Sequence, residues 1–287
     1  ALGAALAAQD GPPRAGRGPA LDEIRGEHIA AHLKFLSHDL LEGRAPSTRG
    51  GSLAAEYLAT QLAVLGFEPG GDAGTWFQEV PIVESVVDPS FTLRVGNGPT
   101  FKYLSDVVAF SGLQQPQVAF DGEVVFVGHG IVAPELKWND YAGVDMKGKI
   151  ALVMVNDPPA SASEPQLFGG DALTYYGRWT YKYEEAARQG AEGAILIHTT
   201  ESATYPWQVV ESSWSGTQYS LPATPGEPAL ALKAWMTEEA ARSLARAGGR
   251  DLDALRKEFA PRVPLQPTVQ VELPPLAAYD RLVGCHL

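Results

Sequence analysis

Apolar residues recur at helical spacing in two segments near the start of the chain. The first stripe predicts a helix over residues 22–37 and consists of Ile24, Ile29, Leu33 and Leu36. The second predicts a helix over residues 51–65 and consists of Leu53, Tyr57, Leu58, Leu62 and Leu65. Ser52 is a candidate cap for the second helix, and Gly66 is expected to end it. Each helix is expected to bury its apolar stripe against a neighbouring layer.

Short apolar runs typical of strands follow these helices. Strands are predicted over residues 76–83, 91–95, 124–127, 150–155 and 194–197. The runs at 124–127 and 150–155 are continuously apolar, as expected of strands covered on both faces. Because a helical segment at 180–189 lies between two of these strands, we expect a β-α-β unit. The sequence therefore predicts an α/β fold.

The last part of the chain contains one more helix and a proline-rich stretch. The helix is predicted over residues 237–247, with Thr237 as its N-cap and two acidic residues in its first turn. Residues 261–275 contain five prolines, and their apolar residues alternate around Val271. This pattern indicates a linker that becomes an extended strand.

Composition narrows the classes of function. The 287 residues carry a formal net charge of −12, which disfavours binding to nucleic acid or to an anionic membrane surface. Cys285 is the only cysteine, so no disulfide can form within the chain. No apolar run reaches the roughly 18 residues of a transmembrane helix. The Ala-rich start and the Gly- and Pro-rich residues 10–20 predict the remnant of a signal peptide and a disordered leader, and therefore a secreted or periplasmic protein.

Two motifs resemble known binding sites, but each lacks a residue that the site requires. The run from Gly143 to Lys149 nearly forms a phosphate-binding loop, but Ile150 stands where a hydroxyl should hold magnesium. His28 and His32 are four residues apart on a helix, but Ile29 replaces the glutamate that a zinc protease of that type needs. The sequence thus offers neither a catalytic residue nor a metal ligand.

One aromatic segment has two interpretations. Residues 174–183 contain five aromatic residues and two cations. They could pack in the core, with the cations reaching solvent along their apolar stems. Alternatively, they could form an aromatic wall with an arginine beside a substrate cleft. The candidate substrate-facing residues are Tyr175, Tyr176, Arg178, Trp179 and Trp207.

Three stretches together resemble the di-zinc aminopeptidase family that includes glutamate carboxypeptidase. Residues 32–44 and 50–67 resemble the opening signature of its peptidase domain. Residues 122–158 resemble its inserted protease-associated (PA) domain, and residues 175–198 the continuation of that domain in a bacterial branch. The likeness covers residues 22–287.

The resemblance implies a partial α/β/α zinc-exopeptidase domain interrupted by a β-rich α+β PA domain. The predicted limits are a leader at 1–20, the first part of the peptidase domain at 21–95, the PA domain at 96–262 and a return strand at 263–287. The resemblance implies two zinc ions, a water activated by the metal and a peptide substrate. It also implies that the ligands follow the PA domain, beginning with a His-x-Asp motif. None of the six histidines here has an aspartate two residues later.

The chain is therefore predicted to be the N-terminal part of an exported zinc aminopeptidase and to be inactive by itself. Its PA domain is predicted to shape substrate access. One alternative is a non-catalytic PA-type module that binds proteins or peptides. Another is an unrelated α/β domain. The oligomeric state is left open by the sequence.

Overall fold

The computed structural model describes residues 23–115, 118–119, 121–160, 163–170, 172–258, 271–272 and 283–286. The predicted leader and most of the proline-rich stretch after residue 260 lie outside the described residues. The chain divides into unit 1, residues 1–80 with 285–287, and unit 2, residues 81–284. The domain limits predicted from the family resemblance stay predictions.

The helices and strands are numbered along the chain. The helices are α1 (Gly26–Leu36), α2 (Arg49–Val64), α3 (Trp179–Arg188), α4 (Thr200–Ala203), α5 (Trp207–Ser213), α6 (Glu238–Ala247) and α7 (Leu252–Glu258). The strands are β1 (Glu79–Val86), β2 (Thr92–Val95), β3 (Thr100–Lys102), β4 (Val107–Phe110), β5 (Glu123–Phe126), β6 (Val132–Ala133), β7 (Trp138–Asn139), β8 (Lys149–Met154), β9 (Gly193–His198), β10 (Thr217–Ser220), β11 (Leu232–Thr237), β12 (Val271–Glu272) and β13 (Val283–His286).

The main sheet of unit 2 has five strands in the order β4-β11-β9-β8-β5. Strands β5, β8, β9 and β11 are parallel, and the edge strand β4 is antiparallel to β11. Helix α3 connects β8 to β9, so the predicted β-α-β unit is confirmed. The result is a mixed α/β architecture.

Alternate residues of this sheet enter two separate cores. Phe126, Leu152 and Ile197 point to the side covered by α6, α7 and strands β2 and β3. Val125, Val153 and Leu196 point to the side covered by α3 and α5. Burial of each such side chain contributes about 1.5–3 kcal/mol to folding. The prediction that these strands are covered on both faces is confirmed.

The described residues also form smaller sheets. Strand β2 pairs antiparallel with β3 and with β12, and β1 pairs antiparallel with β10. Strands β6 and β7 form a two-stranded antiparallel ribbon.

The helix caps agree with the sequence in one case and correct it in the other. Thr237 caps α6, where its side chain accepts a hydrogen bond from the backbone of Ala240. Ser52 does not cap α2, because the helix starts earlier. Thr48 takes that role and its Oγ1 accepts a hydrogen bond of 3.1 Å from the Gly51 N–H.

The two helices of unit 1 meet through a small contact. Phe35 of α1 stacks on Tyr57 of α2 with ring centroids 4.3 Å apart, and His32 Nδ1 lies 2.8 Å from the Tyr57 hydroxyl. No residue of α1 is buried, and in α2 the buried residues are Gly50, Ala54 and Ala59. The predicted burial of the apolar stripes is therefore wrong for the described residues, since Leu33 is 61 % exposed and Leu58 is 51 % exposed. Both helices present apolar faces to solvent.

Gly50 allows the first turn of α2 to approach the chain at Leu41. A Cβ at position 50 would collide with the backbone carbonyl of Leu41. We expect Gly50→Ala to destabilise unit 1 by about 2–4 kcal/mol, because backbone atoms must move to make room. Gly26→Ala in α1 is the control, since a Cβ there meets nothing within 4 Å. Thermal unfolding by circular dichroism, with limited proteolysis to locate the loss, tests this prediction. Equal stability of the two variants would contradict it.

Candidate functional site

The turn before α3 determines where the aromatic segment lies. Asp157, which follows β8, accepts hydrogen bonds from the Thr174 N–H at 2.7 Å and from the Thr174 hydroxyl at 2.8 Å. A Cβ on Gly177 would collide with Leu173 and lie 2.9 Å from the Asp157 nitrogen. The close approach at Gly177 thus requires glycine, and it fixes the position from which α3 starts.

Tyr175 and Tyr176 both pack edge-on against Tyr181, and their hydroxyls donate to different carboxylates. Tyr175 is 55 % exposed and donates to Glu184 at 2.7 Å. Tyr176 is partly buried and donates to Glu135 at 2.7 Å. The bond from Tyr176 holds the pKa of Glu135 below its ordinary value. The two hydroxyls stabilise surface carboxylates in this arrangement.

Trp179 is the first residue of α3, and its ring packs against a cluster of large aromatic side chains. Its ring centroid lies 5.9 Å from that of Trp214 and 6.5 Å from that of Trp235. The side chain is nevertheless 41 % exposed, so one face remains open to a ligand. Arg178, just before the helix, is exposed.

Trp207, at the start of α5, packs against the same core cluster that contains Trp214 and Trp235. Its indole N–H donates to the Leu104 carbonyl at 2.7 Å, and its ring lies edge-on to His198 at 5.5 Å. Burial lowers the pKa of His198, whose Nε2 donates to the Tyr205 carbonyl at 3.1 Å. Tyr175 and Tyr176 thus pack around Tyr181, whereas Trp179 and Trp207 both border the cluster of Trp214 and Trp235. The substrate-facing role of the five predicted residues stays a prediction.

A buried polar network lies beneath α3, at the carboxyl ends of the parallel strands. Lys182 is fully buried and its Nζ donates to the Asn156 carbonyl at 3.1 Å. His129 Nδ1 donates to the same carbonyl at 2.9 Å. Asn156 has a left-handed φ of 70°, and its side-chain amide donates to the Ser202 carbonyl at 2.7 Å. One strained residue therefore connects the loops that follow β5, β8 and β9.

Burial dominates the electrostatics of this network. It lowers the pKa of Lys182 to about 7, against the opposing attraction of Asp157 and Asp140. Burial, followed by the charge of Lys182, lowers the pKa of His129 to about 4. Burial raises the pKa of Asp140 to about 6, although the Ile131 N–H and the Trp138 indole N–H donate to its carboxylate. The Lys182 side chain is fully buried, so its ammonium is shielded from solvent.

Sequence reasoning missed two lysines. If the aromatic segment packs in the core, the sequence predicts that the ammonium of Lys182 reaches solvent. The structure corrects this, because Lys182 is fully buried, as are Tyr181 and Tyr183 on either side of it. Lys233 was not singled out, although it is the one charged residue in the apolar run from Leu230 to Met236. A lone charge in an apolar strand is a usable signal, since its charge requires compensation.

The described residues do not fit the two zinc ions that the family resemblance implies. Among them, no group of three or more His, Cys, Asp or Glu side chains is placed to hold a metal ion. Nδ1 of His32, one of the α1 histidine pair, is in a hydrogen bond with Tyr57. No chemical step through zinc follows from these residues, and the expectation that this chain supplies no zinc ligands stays a prediction.

No family model and no curated protein sequence matches the chain. Among solved structures, an aminopeptidase from Aneurinibacillus sp. strain AM-1 matches 91 % of this chain and 46 % of its own, with a TM-score of 0.44 and 19 % identity. Two structures of BSAP, a zinc aminopeptidase from Bacillus subtilis, match 91 % of this chain and 45 % of theirs, with TM-scores of 0.40 and 0.36 and 15 % identity. The chain spans about half the length of these proteins.

Within the described part of the chain, no helix is long and apolar enough to cross a membrane.

Proposed function

We propose that this chain is the N-terminal part of an exported zinc aminopeptidase. Residues 21–95 and 263–287 belong to its peptidase domain, and residues 96–262 form an inserted PA domain that shapes access for a peptide substrate. The zinc ligands and the catalytic residues lie on polypeptide beyond these 287 residues. The chain by itself does not hydrolyse peptides.

The observation that carries the proposal is the exposed apolar surface of unit 1. Leu53, Leu58 and Leu62 of α2, with Leu65 directly after it, are each at least 41 % exposed. Ile29 and Leu33 of α1 are at least 50 % exposed. An amphipathic helix in a folded domain normally buries such a stripe against a sheet or another helix. These two helices are what one outer layer of an α/β/α domain would look like without its sheet.

Unit 2 supports the proposal by contrast. Its sheet is covered on both sides, and its buried residues include Phe126, Trp235 and Ile197 at 1 % exposure. A unit with its own closed core is suited to be an insertion, because it does not need the host domain to fold. The segments that resemble the PA domain lie in this unit.

Activity with and without downstream polypeptide tests the proposal. The gene should be extended past Leu287 to its stop codon, and the extended protein and the 287-residue chain purified with zinc. We expect the extended protein to hydrolyse leucine p-nitroanilide in a chelator-sensitive way and the shorter chain to be inactive. Chelator-sensitive hydrolysis by the shorter chain would contradict the proposal.

The sequence that follows Leu287 also distinguishes the peptidase from the alternative, a non-catalytic binding module. If a stop codon directly follows Leu287, the non-catalytic binding module is favoured and the peptidase proposal fails. If the downstream sequence contains a His-x-Asp motif, the peptidase is favoured.

A further inference from the structure

A groove in unit 2 lies between α3, the end of β4 and the loop that follows β10. Its volume is about 440 Å³. One wall carries Trp179 and Glu184 of α3, and the floor carries Phe110 and Lys233. The opposite wall is the exposed loop 221–229, which contains three prolines. The groove is thus partly aromatic and has a cation at its base.

Gln114 fixes the loop that forms this wall. Its side-chain amide donates to the Leu221 carbonyl at 2.7 Å and to the Ser220 hydroxyl at 3.2 Å. Its Oε1 accepts a hydrogen bond from the Ala223 N–H at 2.8 Å. Gln114 itself has a left-handed φ of 51°. Three side-chain bonds from one strained residue hold the wall in place, so the groove is a formed feature of the fold.

The Lys233 ammonium lacks an anionic partner within hydrogen-bonding distance among the described residues. Its Nζ lies 5.7 Å from the centroid of the Phe110 ring, a cation–π contact. Burial lowers the pKa of Lys233, and the more distant charge of Glu184 opposes this shift. The Tyr175 hydroxyl donates to the Glu184 carboxylate, with both carboxylate oxygens within 2.9 Å, and Arg188 lies 3.9 Å from that carboxylate. The carboxylate of Glu184 is therefore engaged elsewhere.

Gly112 leaves the approach to the ammonium open. A Cβ at position 112 would lie 3.3 Å from Lys233 Nζ and 3.1 Å from its Cε. It would also lie 3.0 Å from the Leu230 carbonyl. With glycine at this position, a ligand can reach the donors of Lys233 from the groove.

We propose that this groove binds a peptide carboxylate adjacent to an apolar or aromatic side chain, with Lys233 as the partner of the carboxylate. The apolar group packs against Trp179 and Phe110. Since Glu184 and Glu227 also line the groove, a single negative charge is favoured over a phosphate dianion. That the ligand is a peptide rests on the proposed function. The binding of a carboxylate does not.

A fluorine NMR titration at pH 7 tests this site without hydrolysis or zinc. N-acetyl-4-fluorophenylalanine and its amide differ only in the carboxylate. We expect the acid to bind the 287-residue chain about tenfold more tightly than the amide, which corresponds to about 1.4 kcal/mol. Inorganic phosphate should not displace it. A third probe, N-acetyl-aspartyl-4-fluorophenylalaninamide, shows whether a side-chain carboxylate serves as well as a terminal one, and either source supports the proposal.

Two variants assign the preference to Lys233. Lys233→Met should reduce the difference between acid and amide to less than about twofold, because the charge is removed. Gly112→Ala keeps the charge of Lys233 but obstructs access to its ammonium. This variant should weaken binding of the acid more than binding of the amide. Lys147→Met, at an exposed position, is the control and should behave as the parent. Equal binding of acid and amide by the parent, or a preference that survives Lys233→Met, would overturn the proposal. Neither result bears on peptidase activity, so the two proposals fail independently.

Discussion

The free energy of unfolding is expected to rise by about 3 kcal/mol between pH 7 and pH 9.5 because of Lys182. Burial lowers the pKa of Lys182 from 10.5 to about 7. Between these values the unfolded chain holds a proton that the folded protein has released. Stability therefore increases with pH across this window. Below pH 7 both states are protonated, and the buried charge carries its full cost.

The lowered pKa of Lys233 adds to the rise within this window, whereas the other groups with shifted pKa values act mainly outside it. Tyr141 and Tyr183 have pKa values raised well above 10 by burial, so they oppose the trend only above pH 10. The lowered pKa of His129 reduces stability as the pH falls from 6.5 toward 4, whereas the raised pKa of Asp140 increases it as the pH falls below about 6. These two effects partly cancel and lie below the window.

Lys182→Met is the decisive variant, because methionine fills similar space without a charge. We expect it to abolish most of the rise between pH 7 and 9.5 and to match or exceed the parent in stability at pH 6. Lys147→Met, exposed, should keep the slope of the parent. Urea unfolding at half-unit pH steps measures these slopes. A parental slope in Lys182→Met would show that the buried ammonium does not cause the effect.

The second large effect concerns the exposed face of α2. In the 287-residue chain, Leu58→Gln and Leu62→Gln should each change the free energy of unfolding by less than about 0.5 kcal/mol, because both leucines are at least 41 % exposed. In the extended protein, we expect the same leucines to be buried in the core of the completed peptidase domain. Each substitution should then cost about 2–3 kcal/mol, since apolar burial is lost and a polar amide is buried.

Ala59 supplies the matched control for this comparison. It lies next to Leu58 on the same helix but is only 7 % exposed in the present chain. Ala59→Gln should therefore destabilise both the short and the extended protein. If Leu58→Gln costs the same in both lengths, the exposed stripe is an ordinary surface and the argument from unit 1 fails.

Local pattern was enough to predict much of unit 2. The continuous apolar runs of β5, β8 and β9 and the caps of α6 identify themselves, because burial on both faces and N-cap bonding leave signals within a few residues. Strand β11 was missed because Lys233 interrupts its apolar run. The role of that charge depends on residues that are distant in the sequence. Strand β4 was also missed. It is short, and its pairing with β11 joins residues more than 100 positions apart.

The candidate site was less predictable for a related reason. The aromatic segment of residues 174–183 was visible in the sequence, but its division into groups around Tyr181 and Trp214 is set by contacts with other elements. Neither the shared acceptor of Lys182 and His129 at Asn156 nor the clamp formed by Gln114 has a local pattern. Periodicity also indicated apolar stripes on α1 and α2 correctly, but it could not say what covers them.

Metal content is the most direct test of the central claim that this chain is one part of a zinc aminopeptidase. Both the 287-residue chain and the protein extended to its natural stop codon should be saturated with zinc, dialysed and measured by atomic emission. The account predicts two zinc ions per extended polypeptide and none retained by the shorter chain. Two tightly held zinc ions in the 287-residue chain, or none in the extended protein, would contradict it.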